Sequence, residues 1–267
     1  MNLRYALRLL ASFAFVCSLV TGASAQEAKP FEPTSGQAGK DVVWVPTPQE
    51  LVEKMLDLAE LTPQDYLIDL GSGDGRTVIT AAKRGARAHG IEYNPDMVGL
   101  AEYNAKQAGV LGKATFARAD IFESDFSKAQ VVTLFLLPSL NVKLRPTILN
   151  MAPGTRVVSN TFTMEDWSPD ETATIGDPCV SWCTAHLWIV PAKVEGTWNV
   201  EGGRGELTFY QTYQMLSGSL GTASISEGRL NGNEISFTVG GTTYTGRVDG
   251  NRIRGTVDGK AFTATKR

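Results

Sequence analysis

The run Leu67-Ile68-Asp69-Leu70-Gly71-Ser72-Gly73-Asp74-Gly75-Arg76 constrains this chain more than any other segment. An apolar stretch ends in an acid, three glycines follow at alternate positions, and a helix-forming stretch begins at Thr77. Glycine tolerates positive φ, so the backbone turns tightly and lies bare to an approaching ligand. Amides at the start of the following helix then face whatever carries a carboxylate or phosphate. The spacing also excludes two nucleotide folds. Arg76 stands where a dinucleotide-binding turn needs its third glycine, and the lysine and Ser/Thr of a P-loop are missing. Asp69 closes the strand with a negative charge, which suits an ammonium group and repels a pyrophosphate.

The surrounding pattern repeats the strand-turn-helix unit. A helix is expected over residues 48–60, opened by Pro48, with Leu51, Val52, Met55, Leu56 and Leu58 buried. Strands are expected at 66–69, 86–92, 114–119, 131–137, 156–159 and 186–190, with helices near 77–84, 95–108 and 140–150. This alternation predicts an α/β domain over 41–191 with a mainly parallel sheet. Acids end the next two strands as well. Glu92 lies 17 residues beyond Gly75, where a carboxylate can accept hydrogen bonds from both hydroxyls of a ribose. Asp120 closes the third strand, where an adenine amino group would fall.

Taken together, these residues resemble the class I S-adenosylmethionine-dependent methyltransferases, over about residues 45–190. The resemblance implies a Rossmann-like methyltransferase sheet with helices on both faces and S-adenosylmethionine as cofactor. It also implies that Asp69 and the loop of Gly71, Ser72 and Gly73 hold the amino-acid end of the cofactor, Glu92 the ribose and Asp120 the adenine. A narrower set of segments is Val45-Pro46-Thr47-Pro48, Phe135-Leu136-Leu137-Pro138-Ser139, Leu144-Arg145, Pro153-Gly154-Thr155-Arg156-Val157-Val158-Ser159 and Asp166-Trp167-Ser168-Pro169. It is similar to the mitochondrial protein-lysine methyltransferases that act on ATP synthase c-subunit and the adenine nucleotide translocator, and to their bacterial relatives. That likeness implies N-methylation of lysine in a protein substrate, with Thr47, Pro138 and Trp167 at the rim of the site. The same three residues read equally well as turn and packing residues. In-line methyl transfer depends chiefly on alignment, so no catalytic side chain is assigned. Two other readings stand beside this one: an exported, non-catalytic Rossmann-like module that binds a nucleoside, and a methyltransferase for small molecules or lipids.

Charge argues against a nucleic-acid partner. Lys+Arg number 25 against 28 Asp+Glu, a net charge of −3, without the basic footprint that a phosphate backbone demands. The segment Leu136-Leu137-Pro138-Ser139 also lacks the Asn/Asp-Pro-Pro-aromatic run with which base amino-methylating enzymes hold an exocyclic nitrogen. No metal site is expected. His89 and His186 are the two histidines, and both read as hydrogen-bonded strand residues. Cys179 and Cys183 would lie about 13 Å apart on a straight strand but could meet in a turn. They read either as a disulfide or as two separate thiols.

The ends of the chain differ from its middle. Arg4 and Arg8, an apolar run over 9–20 and the small residues Ala23-Ser24-Ala25 form the pattern of a secretory signal peptide, 1–25, cleaved after Ala25. Its removal would leave a mature net charge of −5. Export to the periplasm or cell exterior follows, with an uncleaved membrane anchor as the alternative. The apolar run is too short for a comfortable bilayer span, so no stable span is expected in the mature chain. Residues 26–40 read as a polar, flexible leader. From 195 to 267, alternating stretches at 234–239, 242–248 and 252–257 are punctuated by Asn231-Gly232, Gly240-Gly241 and Asp249-Gly250, which are hairpin signals. A small antiparallel β domain is expected there, a sandwich or half-barrel, either covering an edge of the sheet or binding a ligand.

Overall fold

Pro48 has no amide hydrogen to leave unsatisfied, and the helix it introduces, α1 (Gln49–Leu58), buries Leu51, Val52, Met55, Leu56 and Leu58. The computed structural model describes residues 31–201 and 205–267. After α1 come β1 (Tyr66–Leu70), α2 (Arg76–Lys83), β2 (Arg87–Glu92), α3 (Pro95–Gln107), β3 (Ala114–Arg118), β4 (Val131–Leu134), α4 (Pro138–Ile148), β5 (Arg156–Asn160), β6 (Glu171–Thr174) and β7 (Thr184–Ile189). They form one seven-stranded sheet in the order β3-β2-β1-β4-β5-β7-β6. The first five strands are parallel, β7 runs antiparallel to β5, and β6 runs antiparallel to β7. One apolar layer is built from α1, α2 and Ala105 of α3. The other holds Leu144 and Ile148 of α4 with Trp167 and Trp188. Strand order reverses between β1 and β4, which opens a crevice beyond their carboxyl ends.

Two details depart from the sequence reading of this sheet. Strand β4 stops at Leu134, three residues short of the expected end, and Pro138 starts α4. Strand β6 carried no apolar signal. Three of its four residues are exposed, and it lies at the edge of the sheet, held there by pairing with β7.

The described part of the expected leader is not loose. Gly36 N donates to Trp44 O at 2.8 Å, Trp44 N to Gln37 O at 2.9 Å and Gly39 N to Val42 O at 3.0 Å, which folds residues 36–44 into a hairpin. Polar composition suggested flexibility; instead the backbone polar groups satisfy one another. The expected signal peptide, 1–25, lies outside the described residues.

The C-terminal strands are β8 (Gly196–Val200), β9 (Glu206–Thr212), β10 (Met215–Leu220), β11 (Ala223–Asn231), β12 (Glu234–Val239), β13 (Thr242–Asp249), β14 (Arg252–Val257) and β15 (Lys260–Lys266). Each pairs antiparallel with the next, and β15 pairs back with β8. The result is a closed barrel rather than a sandwich or half-barrel. Eight strands enclose a space that side chains can fill. Trp198, Phe209, Phe237, Tyr244 and Phe262 fill it here. Closure also removes the unpaired edges that a half-barrel would expose.

Barrel and sheet meet through polar contacts, one of them fully buried. Trp167 Nε1 donates to Gln214 Oε1 at 3.0 Å, and Gln214 Nε2 donates to Ser168 O at 2.9 Å. Arg229 pairs with Asp170 at 2.7 Å, and Tyr213 Oη donates to Asp166 at 2.9 Å. Trp167 is fully buried and stacks on Tyr213. Of its two sequence readings, rim residue and packing residue, the structure supports the second.

Candidate active site

The three strand-end acids converge on the crevice at the β1/β4 switch point. Asp69, Gly71, Ser72, Gly73, Glu92 and Asp120 all line one cleft, with residues 37–47 closing one side and Leu134, Phe135, Leu136 and Leu140 another.

Asp69 is 6% exposed at the end of β1, and Thr133 Oγ1 donates to its Oδ1 at 2.7 Å. Burial pushes its carboxyl up to about 7, against the Thr133 hydrogen bond, and the nearby charges of Glu92 and Asp74 add to the rise. Glu92 is turned into the glycine loop. Its Oε2 accepts from Gly73 N at 3.0 Å and its Oε1 from Asn94 N at 2.9 Å. Asn94 in turn caps α3 by accepting from Asp96 N at 2.9 Å. Asp120 accepts from Phe122 N at 2.9 Å and forms an ion pair with Lys40 of the hairpin. The Lys40 ammonium beside it holds the Asp120 carboxyl below the usual range.

The loop itself is bare backbone. Gly73 has φ +53°, and a Cβ there would lie 2.6 Å from Trp44 Nε1. Beneath the loop, Ser72 is buried, and its hydroxyl has no hydrogen-bond partner among the described residues. A Cβ on Gly90 would come within 2.4 Å of that hydroxyl, so Gly90 lets the loop seat on β2. Arg76 ties the region together, donating to both carboxylate oxygens of Asp74 and to Thr47 O. The donor set fits S-adenosylmethionine. One buried acid can face an ammonium, a second can accept from a diol, a third can accept from an exocyclic amine, and the glycines between them carry no side chain.

Of the three rim candidates, Thr47 lines the cleft and its Oγ1 accepts from Asn160 Nδ2 at 3.2 Å. Pro138 is exposed at the start of α4, and Trp167 belongs to the barrel contact. The histidines pair elsewhere on the sheet. His89 Nδ1 pairs with Thr115 Oγ1 at 2.8 Å, His186 Nδ1 with Thr172 Oγ1 at 2.9 Å and His186 Nε2 with Thr161 O at 3.1 Å. Neither is among the described residues lining the cleft. Cys179 and Cys183 form a disulfide in the β6–β7 connection, with Cα atoms 5.9 Å apart. Sequence reasoning missed Lys40, Trp44, Gly90 and Thr133. Only Thr133 had a usable signal, a hydroxyl in the strand that pairs beside Asp69.

Comparison with known proteins agrees with this geometry. A family model described as the ANTKMT methyltransferase domain matches residues 69–171. A protein-lysine N-methyltransferase of Saccharolobus islandicus is 40% identical over 152 residues, covering 56% of this chain and 94% of that one. The ATP synthase c-subunit lysine N-methyltransferase of Mus musculus is 33% identical over 165 residues, 61% of each chain. A crystal structure described as an RNA methyltransferase from Salinibacter ruber in complex with S-adenosyl-L-homocysteine is 48% identical. It superposes with a TM-score of 0.52 over 56% of this chain and 96% of that one. The sheet order, the acid-flanked glycine loop and these relatives together place the chain in the class I S-adenosylmethionine-dependent methyltransferase family, in the group that shares the ANTKMT methyltransferase domain.

Proposed function

We propose that this enzyme methylates the ε-amino group of lysine in a protein substrate. The observation that carries the reading is the apolar wall of Phe135, Leu136 and Leu140 in the cleft, with Leu136 beside the glycine loop. A lysine must be neutral to attack carbon, and an apolar, desolvating wall favours the neutral amine. The lysine-methylating relatives support the same acceptor. When bound, S-adenosylmethionine supplies a methyl group on a positively charged sulfur. In this reading ionised Asp69 grips the amino-acid end, Glu92 the ribose and Asp120 the adenine. The 36–44 hairpin shields the cleft from water. No side chain need act as nucleophile, because holding the acceptor in line accounts for the acceleration.

A second reading, RNA as acceptor, is favoured by the similarity to the Salinibacter ruber RNA methyltransferase and opposed by the net charge of −3. Purified protein incubated with methyl-labelled S-adenosylmethionine, a mixture of lysine peptides and total RNA separates the two. Label in methyl-lysine supports the first reading, and label in nucleosides alone refutes it. We further propose export, from the signal pattern at 1–25 and a disulfide of the kind that persists in oxidising compartments. Residues 1–40 fused to a reporter active only outside the cytoplasm should give signal; a silent reporter with intact fusion protein would refute export.

A further inference from the structure

We infer that Trp182, Phe135 and Phe162 form the surface that receives the acceptor lysine, and that the Cys179–Cys183 disulfide holds Trp182 in that surface. The inference rests on the lysine reading above and goes beyond it by assigning the acceptor-side residues.

The three rings meet in a triangle. Their centroids lie 5.5 Å apart for Phe135 and Trp182, 5.4 Å for Phe162 and Trp182, and 6.0 Å for Phe135 and Phe162. Each ring comes from a different connection at one end of the sheet: Phe135 follows β4, Phe162 follows β5, and Trp182 sits between β6 and β7. Phe135 also lines the cofactor cleft, so the aromatic surface is continuous with it.

The backbone that carries Phe162 has rigid support. Asn141, fully buried on α4, donates from Nδ2 to Phe162 O and Thr163 O, both at 3.2 Å. His186 holds the preceding carbonyl, that of Thr161. Trp182 instead rides on a loop, at φ +61°, a conformation unfavourable for a bulky side chain. The disulfide that brackets it ties that loop to itself. Trp182 remains 36% exposed, beside Val180 at 97%, while Leu137, two residues after Phe135, is 44% exposed.

The occupant that fits is a lysine with apolar neighbours. Its methylene stem packs on the ring faces, and the apolar surroundings favour the neutral amine that attacks in the cleft. The apolar side chains around the rings suit leucine or valine on either side of that lysine.

The test uses the oxidised full-length mature chain saturated with S-adenosylhomocysteine, titrated with a blocked peptide whose central lysine is flanked by leucines, and with the same peptide flanked by serines. Wild type should bind the leucine peptide more tightly. Trp182→Ala should weaken that binding about tenfold, Trp182→Phe should largely restore it, and the double change Cys179→Ser with Cys183→Ser should weaken it severalfold. S-adenosylhomocysteine affinity, as the check on folding, should stay within twofold throughout. In turnover, KM for peptide should rise with kcat little changed. Unchanged peptide affinity in Trp182→Ala, alongside active wild type, would overturn the assignment of the rings. Unchanged affinity in the double cysteine variant would overturn the role of the disulfide. A wild type that methylates no lysine peptide but does methylate RNA would instead refute the lysine reading beneath both.

Discussion

Thr133, on β4, donates a 2.7 Å hydrogen bond to Asp69, on the neighbouring strand β1, and this is the one hydrogen bond that opposes burial most strongly in setting the charge of Asp69. With its carboxyl at about 7, Asp69 in the free protein is half-protonated near neutrality. Holding an ammonium group requires the ionised form, so binding releases a proton below that pH. Affinity for S-adenosylmethionine should therefore be level above about pH 7 and fall up to about tenfold per unit as pH drops below it. Thr133→Val removes a bond to the ionised form and should move the break to higher pH. Titration calorimetry from pH 5.5 to 8.5 checks both, and a flat profile would refute the role given to Asp69.

Glu92 satisfies two backbone amides, those of Gly73 and Asn94, in addition to any ligand. Glu92→Ala should raise the Kd for S-adenosylmethionine by about a hundredfold, since it loosens the loop as well as removing an acceptor. Glu92→Gln keeps only one acceptor oxygen, so one amide loses its partner; a loss of about tenfold is expected. Binding isotherms of the two variants side by side give the comparison.

Gly73→Ala introduces a Cβ at positive φ and 2.6 Å from Trp44 Nε1. The backbone alone costs about 1 kcal/mol, equivalent to a Tm drop of about 2–4 °C in a chain of this size. Cofactor affinity should fall more than tenfold. In a Trp44→Ala background the stability loss should shrink towards the backbone cost, as a double-mutant cycle by thermal unfolding would show.

Trp167→Phe leaves Gln214 Oε1 buried without its indole donor. Losses of about 1–3 kcal/mol follow from such an orphaned acceptor. Because Trp167 is not among the described residues lining the cleft, S-adenosylmethionine affinity should stay unchanged while Tm falls. A variant that loses cofactor binding at full stability would contradict that placement.

Much of the sheet could be read in advance because its signals are local. The helix after Pro48, the positive-φ glycines after Asp69 and the helix that begins at Pro95 each depend on residues within a few positions of one another. The edge strand Glu171–Thr174 escaped notice because only its partner, β7, makes it a strand. Trp167 matched a motif, yet its indole faces a glutamine 47 residues away in the barrel.

The amino-acid sequence by itself determined the strand-turn-helix repeat, the bare glycine loop and the placing of Asp69, Glu92 and Asp120 at strand ends, because each follows from short-range geometry and side-chain period. Tertiary structure alone decided that β15 closes onto β8, that Lys40 reaches Asp120 across 80 residues and that Trp182 joins Phe135 and Phe162. Those contacts join segments far apart in the chain, and their partners are selected only when packing has brought the segments together.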